Sequence, residues 1–125
     1  MSSTLLVVDD AKSSRKVNVA LVKSLCGETV VCLEASSGEE ALATLAAQPV
    51  DLVLLDLTMP GLSGYDVLAE LQRRHQQVRV IVISADIQLP AKKRVAELGA
   101  IGFIEKPVTE QALRVILTKL GVVHG

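Results

Sequence analysis

A chain of 125 residues is long enough to bury one real core and too short for two ordinary domains. Half of its residues are hydrophobic and the mean hydropathy is +0.43, which excludes a disordered chain, while a formal net charge of −1 argues against a general nucleic-acid binder. The longest apolar stretches fall short of the roughly 18 residues a bilayer span requires. Met1-Ser2-Ser3-Thr4 carries no basic region ahead of an apolar one, so a cytoplasmic protein without a signal peptide is expected.

The first apolar run, Leu5-Leu6-Val7-Val8, stops at Asp9-Asp10. A helix follows over about residues 13–25, with Val17, Leu21 and Leu25 at i, i+4 and i+8 as the stripe it turns inward. Residues 30–33 form the second strand. Ser37 then opens a helix as its N-cap, and Glu40, three positions on, completes a capping box ahead of a buried side made of Ala41, Leu42 and Leu45. The third run, Leu52-Val53-Leu54-Leu55, stops at Asp56. The third helix covers about residues 63–75, with Val67, Leu68 and Leu71 inward. Val80-Ile81-Val82-Ile83 stops at Ser84, and the next helix starts near Pro90, a residue tolerated in a first turn, and ends before Gly99. Ile101-Gly102-Phe103-Ile104-Glu105 stops at Lys106. The last helix begins at Thr109, buries Leu113, Ile116 and Leu120, and finishes at Gly121.

Apolar runs alternating with helical segments predict an α/β domain, a parallel sheet covered by helices on both faces. Five βα units account for the chain without repeat, linker or low-complexity tract, and only Val122-Val123-His124-Gly125 follow the last helix. A single domain over residues 1–125, with no effector domain, is therefore expected. Cys26 and Cys32 have no companion at zinc spacing and are expected to be reduced packing residues. His75 and His124 stand alone and are expected at the surface.

Ligands of open α/β sheets gather just beyond the carboxyl ends of the strands. Four of the five runs end there on chemistry. Singly, each residue has a plain reading: an aspartate after a strand forms a turn or caps a helix, Lys106 is a solvated lysine, and Ser84 is a cap. Together, Asp9, Asp10 and Asp56 repel one another, and a divalent cation removes that conflict. An all-oxygen set suits Mg²⁺, with Mn²⁺ as a workable substitute. Asp10 and Asp56 are the direct-ligand candidates, and Asp9 acts partly through water. Lys106 precedes Pro107, whose ring restricts the backbone, and its charge could neutralise an anion from the side opposite the metal. A metal, a carboxylate nucleophile, a lysine and a hydroxyl describe phosphoryl transfer to an aspartate, which needs positioning and charge neutralisation more than covalent machinery. Asp56, mid-sheet, is the natural nucleophile.

Over essentially its whole length the chain resembles a response-regulator receiver domain, the CheY-like module of two-component signalling. The match rests on Val7-Val8-Asp9-Asp10, Asp51-Leu52-Val53-Leu54-Leu55-Asp56, Met59-Pro60-Gly61-Leu62-Ser63-Gly64, Ile81-Val82-Ile83-Ser84-Ala85, Gly99-Ala100 and Phe103-Ile104-Glu105-Lys106-Pro107. The resemblance implies a flavodoxin-like doubly wound sheet in the order 2-1-3-4-5. It implies that Asp56 takes a phosphoryl group from a sensor histidine kinase's phosphohistidine, and that Asp9 and Asp10 hold Mg²⁺ with the backbone carbonyl of Thr58. Lys106 then contacts the phosphoryl group, and its bond to Pro107 is cis. Ser84 bonds a phosphoryl oxygen, and Phe103 turns inward behind it. Such a domain is a phosphoacceptor switch that catalyses only its own phosphorylation and dephosphorylation.

Its implied partners are a sensor histidine kinase or histidine phosphotransfer protein and a downstream protein target, with no nucleic acid and no membrane. The target would dock on the face of the fourth helix, fifth strand and fifth helix, which holds Lys92, Lys93, Arg94 and Arg114. The alternative within the family is a phosphorelay intermediate or phosphate sink exchanging phosphate with a histidine phosphotransfer protein. Three departures from the family pattern stand out. Ser84 replaces the commoner threonine, Thr58 and Asp86 flank the acceptor where hydrolysis is tuned, and Leu57 brings no aromatic beside it. A haloacid-dehalogenase-like phosphatase would need a second aspartate where Thr58 stands. A nucleotide or flavin module would need a glycine-rich loop where Asp9-Asp10-Ala11-Lys12 stands.

Overall fold

All five apolar runs are strands in the computed structural model, which describes residues 3–122. The readings for His124 and for Met1-Ser2 lie outside the described residues. In chain order the elements are β1 (Ser3–Val8), α1 (Lys12–Cys26), β2 (Val30–Ala35), α2 (Gly38–Ala47), β3 (Leu52–Asp56), α3 (Gly64–Arg73), β4 (Arg79–Ser84), α4 (Leu89–Glu97), β5 (Gly102–Glu105) and α5 (Glu110–Lys119). The strands pair in parallel in the order β2-β1-β3-β4-β5, as the resemblance implied. Parallel neighbours need crossover connections, and here each crossover is a helix.

Side chains alternate across a strand, so each run feeds two cores. Leu6, Val8, Val53, Leu55, Val80 and Val82 pack with α2, α3 and Val95 of α4. Leu5, Val7, Leu52, Leu54, Ile81, Ile83 and Ile104 pack with Val19 and Val22 of α1 and with Leu113 and Leu117 of α5. Burying each such side chain contributes about 1.5–3 kcal/mol. The same alternation sorts the strand-end residues. Asp9 continues the Leu5–Val7 parity, Asp56 the Leu52–Leu54 parity and Lys106 the Ile104 parity, all on the α1 and α5 side. Ser84 continues the Val80–Val82 parity, and Phe103 packs against the opposite core.

Three helical details differ from the sequence reading. On α1 the buried residues are Asn18, Val19 and Val22; Val17 is 56% exposed, and Leu21 and Leu25 flank the stripe. The two candidate stripes differ by one residue, about 100° of helix, and contact with the sheet selects between them. On α5 the fully buried residues are Leu113 and Leu117, while Ile116 and Leu120 lie at the rim. At α2, Ser37 does accept from the Glu40 amide at 3.1 Å, but the Glu40 carboxylate bonds the Ser36 hydroxyl at 3.0 Å instead of returning to the cap. The reciprocal capping box belongs to α3, where Ser63 accepts from the Asp66 amide and Asp66 accepts from the Ser63 amide.

One glycine brings α3 to the site. A Cβ on Gly64 would lie 2.7 Å from the Asp56 carbonyl oxygen and 2.8 Å from Leu57 Cα, both backbone atoms that cannot swing aside. The α3 N-terminus therefore sits directly beneath the end of β3, and the Gly64 amide donates to the Leu57 carbonyl at 3.0 Å.

Candidate functional site

Asp9 follows β1 and Asp56 ends β3, its neighbour in the sheet; both carboxylates are buried, Asp56 to 2% exposure, whereas Asp10 is exposed. One carboxylate oxygen from each of Asp9, Asp10 and Asp56 lies within 4.8 Å of the others. Lys106, just past β5, reaches over to place its Nζ 3.0 Å from Asp56 Oδ2. The Thr58 amide donates to Asp56 Oδ1 at 3.2 Å. Burial pushes the Asp56 carboxyl above its ordinary pKa; the Lys106 ammonium and the Thr58 amide pull it back, and the Asp9 carboxylate adds to the rise.

Ser84 is buried at the same edge of the sheet, and its Oγ accepts from the Asp86 amide at 3.0 Å, which leaves its hydroxyl hydrogen free to donate elsewhere. The Asp86 carboxylate in turn accepts from the Gln88 amide, shaping the loop into α4. The Lys106–Pro107 peptide is cis, as expected. Phe103 is half-buried, and the Lys92 ammonium lies 5.6 Å from its ring centroid. Arg94 departs from its expected face. Its guanidinium stacks 4.1 Å from the Tyr65 ring on α3, while Lys93 and Arg114 are exposed, Arg114 pairing with Glu110 along α5.

The residues fit a hard divalent cation. Asp9 Oδ1 accepts from the Ala11 amide, but Asp9 Oδ2 is buried without a hydrogen-bond partner among the described residues. An acceptor orphaned in that way costs about 1–3 kcal/mol unless something outside the chain satisfies it. The oxygen-only donor set matches Mg²⁺ or Mn²⁺. Two residues escaped the sequence reading. Arg15 donates from Nη1 to the Asp9 carbonyl at 2.8 Å and from Nε to Glu34 Oε1 at 3.0 Å. No local pattern announces this contact, because it joins α1 to the ends of two strands.

The family model described as the response regulator receiver domain matches residues 5–118. The chain belongs to that family. Receiver domains are the phosphoacceptor switches of two-component systems, and the family implies phosphorylation on aspartate. Among curated relatives, this receiver is 36% identical over 115 residues to the positive alginate biosynthesis regulatory protein of Pseudomonas aeruginosa, covering 92% of this chain and 46% of that protein. It is also 36% identical over 101 residues to the DNA-binding transcriptional regulator NtrC of Salmonella typhimurium, covering 81% of this chain and 21% of that one. The receiver thus spans less than half the length of either relative. Its fold matches the Vibrio cholerae chemotaxis protein CheY4 with a TM-score of 0.84 at 22% identity, over 95% of this chain and 98% of that one. The receiver domain of the Francisella response regulator 1452 matches with a TM-score of 0.82 at 24% identity, over 95% and 96% of the two chains. Among the described residues, no helix is long and apolar enough to cross a membrane.

Proposed function

We propose that Asp56 accepts a phosphoryl group from the phosphohistidine of a sensor histidine kinase or histidine phosphotransfer protein, and that the acyl phosphate switches a surface for a downstream protein. The observation that carries this reading is the Lys106 ammonium 3.0 Å from Asp56 Oδ2, Asp56 being one of three carboxylates gathered within 4.8 Å. An Asp56 oxygen attacks phosphorus, and the bond from phosphorus to the imidazole nitrogen breaks with its electron pair leaving on that nitrogen. Asp9, Asp10, Asp56 and the Thr58 carbonyl would hold Mg²⁺, which supplies neutralisation of the phosphoryl oxygens when bound. Lys106 stays within reach of the anion formed on Asp56, and the free Ser84 hydroxyl hydrogen is available to a phosphoryl oxygen.

The switch has a demanding free-energy requirement. Moving a two-state equilibrium from 1:99 to 99:1 takes about 5.5 kcal/mol of differential interaction. Hydrogen bonds to charged groups contribute about 1.5–3 kcal/mol each, so a new Ser84 contact supplies part of that difference, while Lys106, already paired with Asp56, adds only what it gains on the phosphoryl group. The readout in this proposal is docking of a protein on the α4–β5–α5 face, where Lys92 already rests on Phe103. Asp56→Asn is expected to abolish acid-labile labelling by acetyl phosphate, and label persisting on that variant would place the acceptor elsewhere. Partner capture with and without beryllofluoride tests the output, which is refuted if every captured protein binds both forms equally.

A further inference from the structure

We infer that Arg15 is a positioning residue for the metal-binding carboxylate Asp9, and that Glu34 anchors it for that task. The inference rests on the metal-assisted phosphoacceptor reading above. Asp9 is held from three directions. Its amide donates to the Ala35 carbonyl at 3.1 Å, its Oδ1 accepts from the Ala11 amide at 2.9 Å, and its carbonyl accepts from Arg15 Nη1 at 2.8 Å. The Arg15 side chain is only 13% exposed, and its Nε is fixed by Glu34 Oε1. Lys16 occupies the other Glu34 oxygen at 2.8 Å, so Glu34 is an ion-paired anchor held below its ordinary pKa, chiefly by Lys16 and then by Arg15. Glu34 and Ala35 are consecutive residues of β2, so the end of one strand holds Asp9 by both its amide and its carbonyl.

The consequence is specific. With its backbone and Oδ1 committed, Asp9 keeps Oδ2 buried and without a partner among the described residues, in a cluster of carboxylates with Asp10 and Asp56. An ordinary surface ion pair contributes little. Arg15 differs because its planar fork spans two partners at once, a carbonyl and a carboxylate, which a lysine cannot do.

The sign of its effect separates position from charge. A guanidinium near a cation site repels the cation, so if Arg15 acted only through its charge, removing it would tighten metal binding. If it acts by holding Asp9, removing it loosens metal binding. The experiment titrates Mn²⁺ alone by electron paramagnetic resonance into the full chain, the Arg15→Met variant and the Glu34→Gln variant. Each titration is repeated at high salt, where through-space charge effects are screened. The expected result is a loss of affinity of about tenfold for Arg15→Met, the low edge of the range for outer partners of metal ligands. A smaller loss in the same direction is expected for Glu34→Gln, and both persist at high salt. Acetyl-phosphate labelling should need more Mg²⁺ in both variants yet reach a maximal rate close to that of the parent.

Mn²⁺ affinity unchanged or tightened in Arg15→Met overturns the inference, including when only its thermal stability falls. If Arg15→Met does not fold, Glu34→Gln decides: an unchanged affinity at high salt overturns it. A parent chain that binds no Mn²⁺ overturns the metal reading itself, a separate failure from variants that match a binding parent.

Discussion

At Asp56, burial sets the electrostatics and its neighbours temper them. Burial raises the carboxyl pKa, while Lys106 and the Thr58 amide offset part of the rise. A carboxyl whose folded pKa lies above its unfolded pKa binds its proton more tightly in the folded state, so stability falls as pH rises through the interval between the two values. It is regained as pH falls through that interval. In metal-free buffer Asp56→Asn, a neutral isostere, should therefore have a higher urea midpoint than the parent at neutral pH, and the difference should shrink as pH falls through that acidic interval. A midpoint equal to or below the parent's at neutral pH contradicts the assignment of burial as the dominant influence. Asp9, Asp10, Asp56, Ser84 and Lys106 were all legible as strand-end residues, because each terminates an apolar run. Arg15 and Glu34 were not, because their contacts with Asp9 depend on how α1 lies against β1 and β2.

The helix starts show how far local patterns reach. Ser37, Ser63 and Thr109 each accept a hydrogen bond from the amide three residues on, the role their residue types favour. The reciprocal box formed at Ser63 and Asp66, whereas at α2 the neighbouring Ser36 hydroxyl captured the Glu40 carboxylate. Ser63→Ala should destabilise the protein by about 1 kcal/mol, measured by urea denaturation, with the loss centred on α3, whose first turn sits beneath Asp56. Helix α4 is held differently. It buries only Ala91 and Val95, both small, and its cations cover the rings of Phe103 and Tyr65. The chain has one Phe, one Tyr and no Trp, so this one helix engages both of its aromatic rings. Contacts of this kind contribute about 0.5–1 kcal/mol each at exposed sites.

Across the whole molecule the sheet sorts its residues into two cores, and helix orientation follows from that sorting. Leu117→Ala, deleting a fully buried side chain of α5, should cost about 2–5 kcal/mol. Val17→Ser, on the exposed side of α1, should stay within about 0.5 kcal/mol of the parent. Urea midpoints of the two variants check both, and a large loss at Val17 would mean that α1 is rotated toward its other stripe.

The sequence by itself determined five parallel strands, their helical crossovers and which polar residues stand where the strands end. Continuous apolar runs between helical segments have few ways to hide from water, and their ends are marked by polar residues. Only the tertiary structure decided which of two adjacent stripes each helix buries, where Arg94 points, and that Arg15 and Glu34 brace Asp9. A rotation of one residue costs nothing locally; the choice is made where two elements meet.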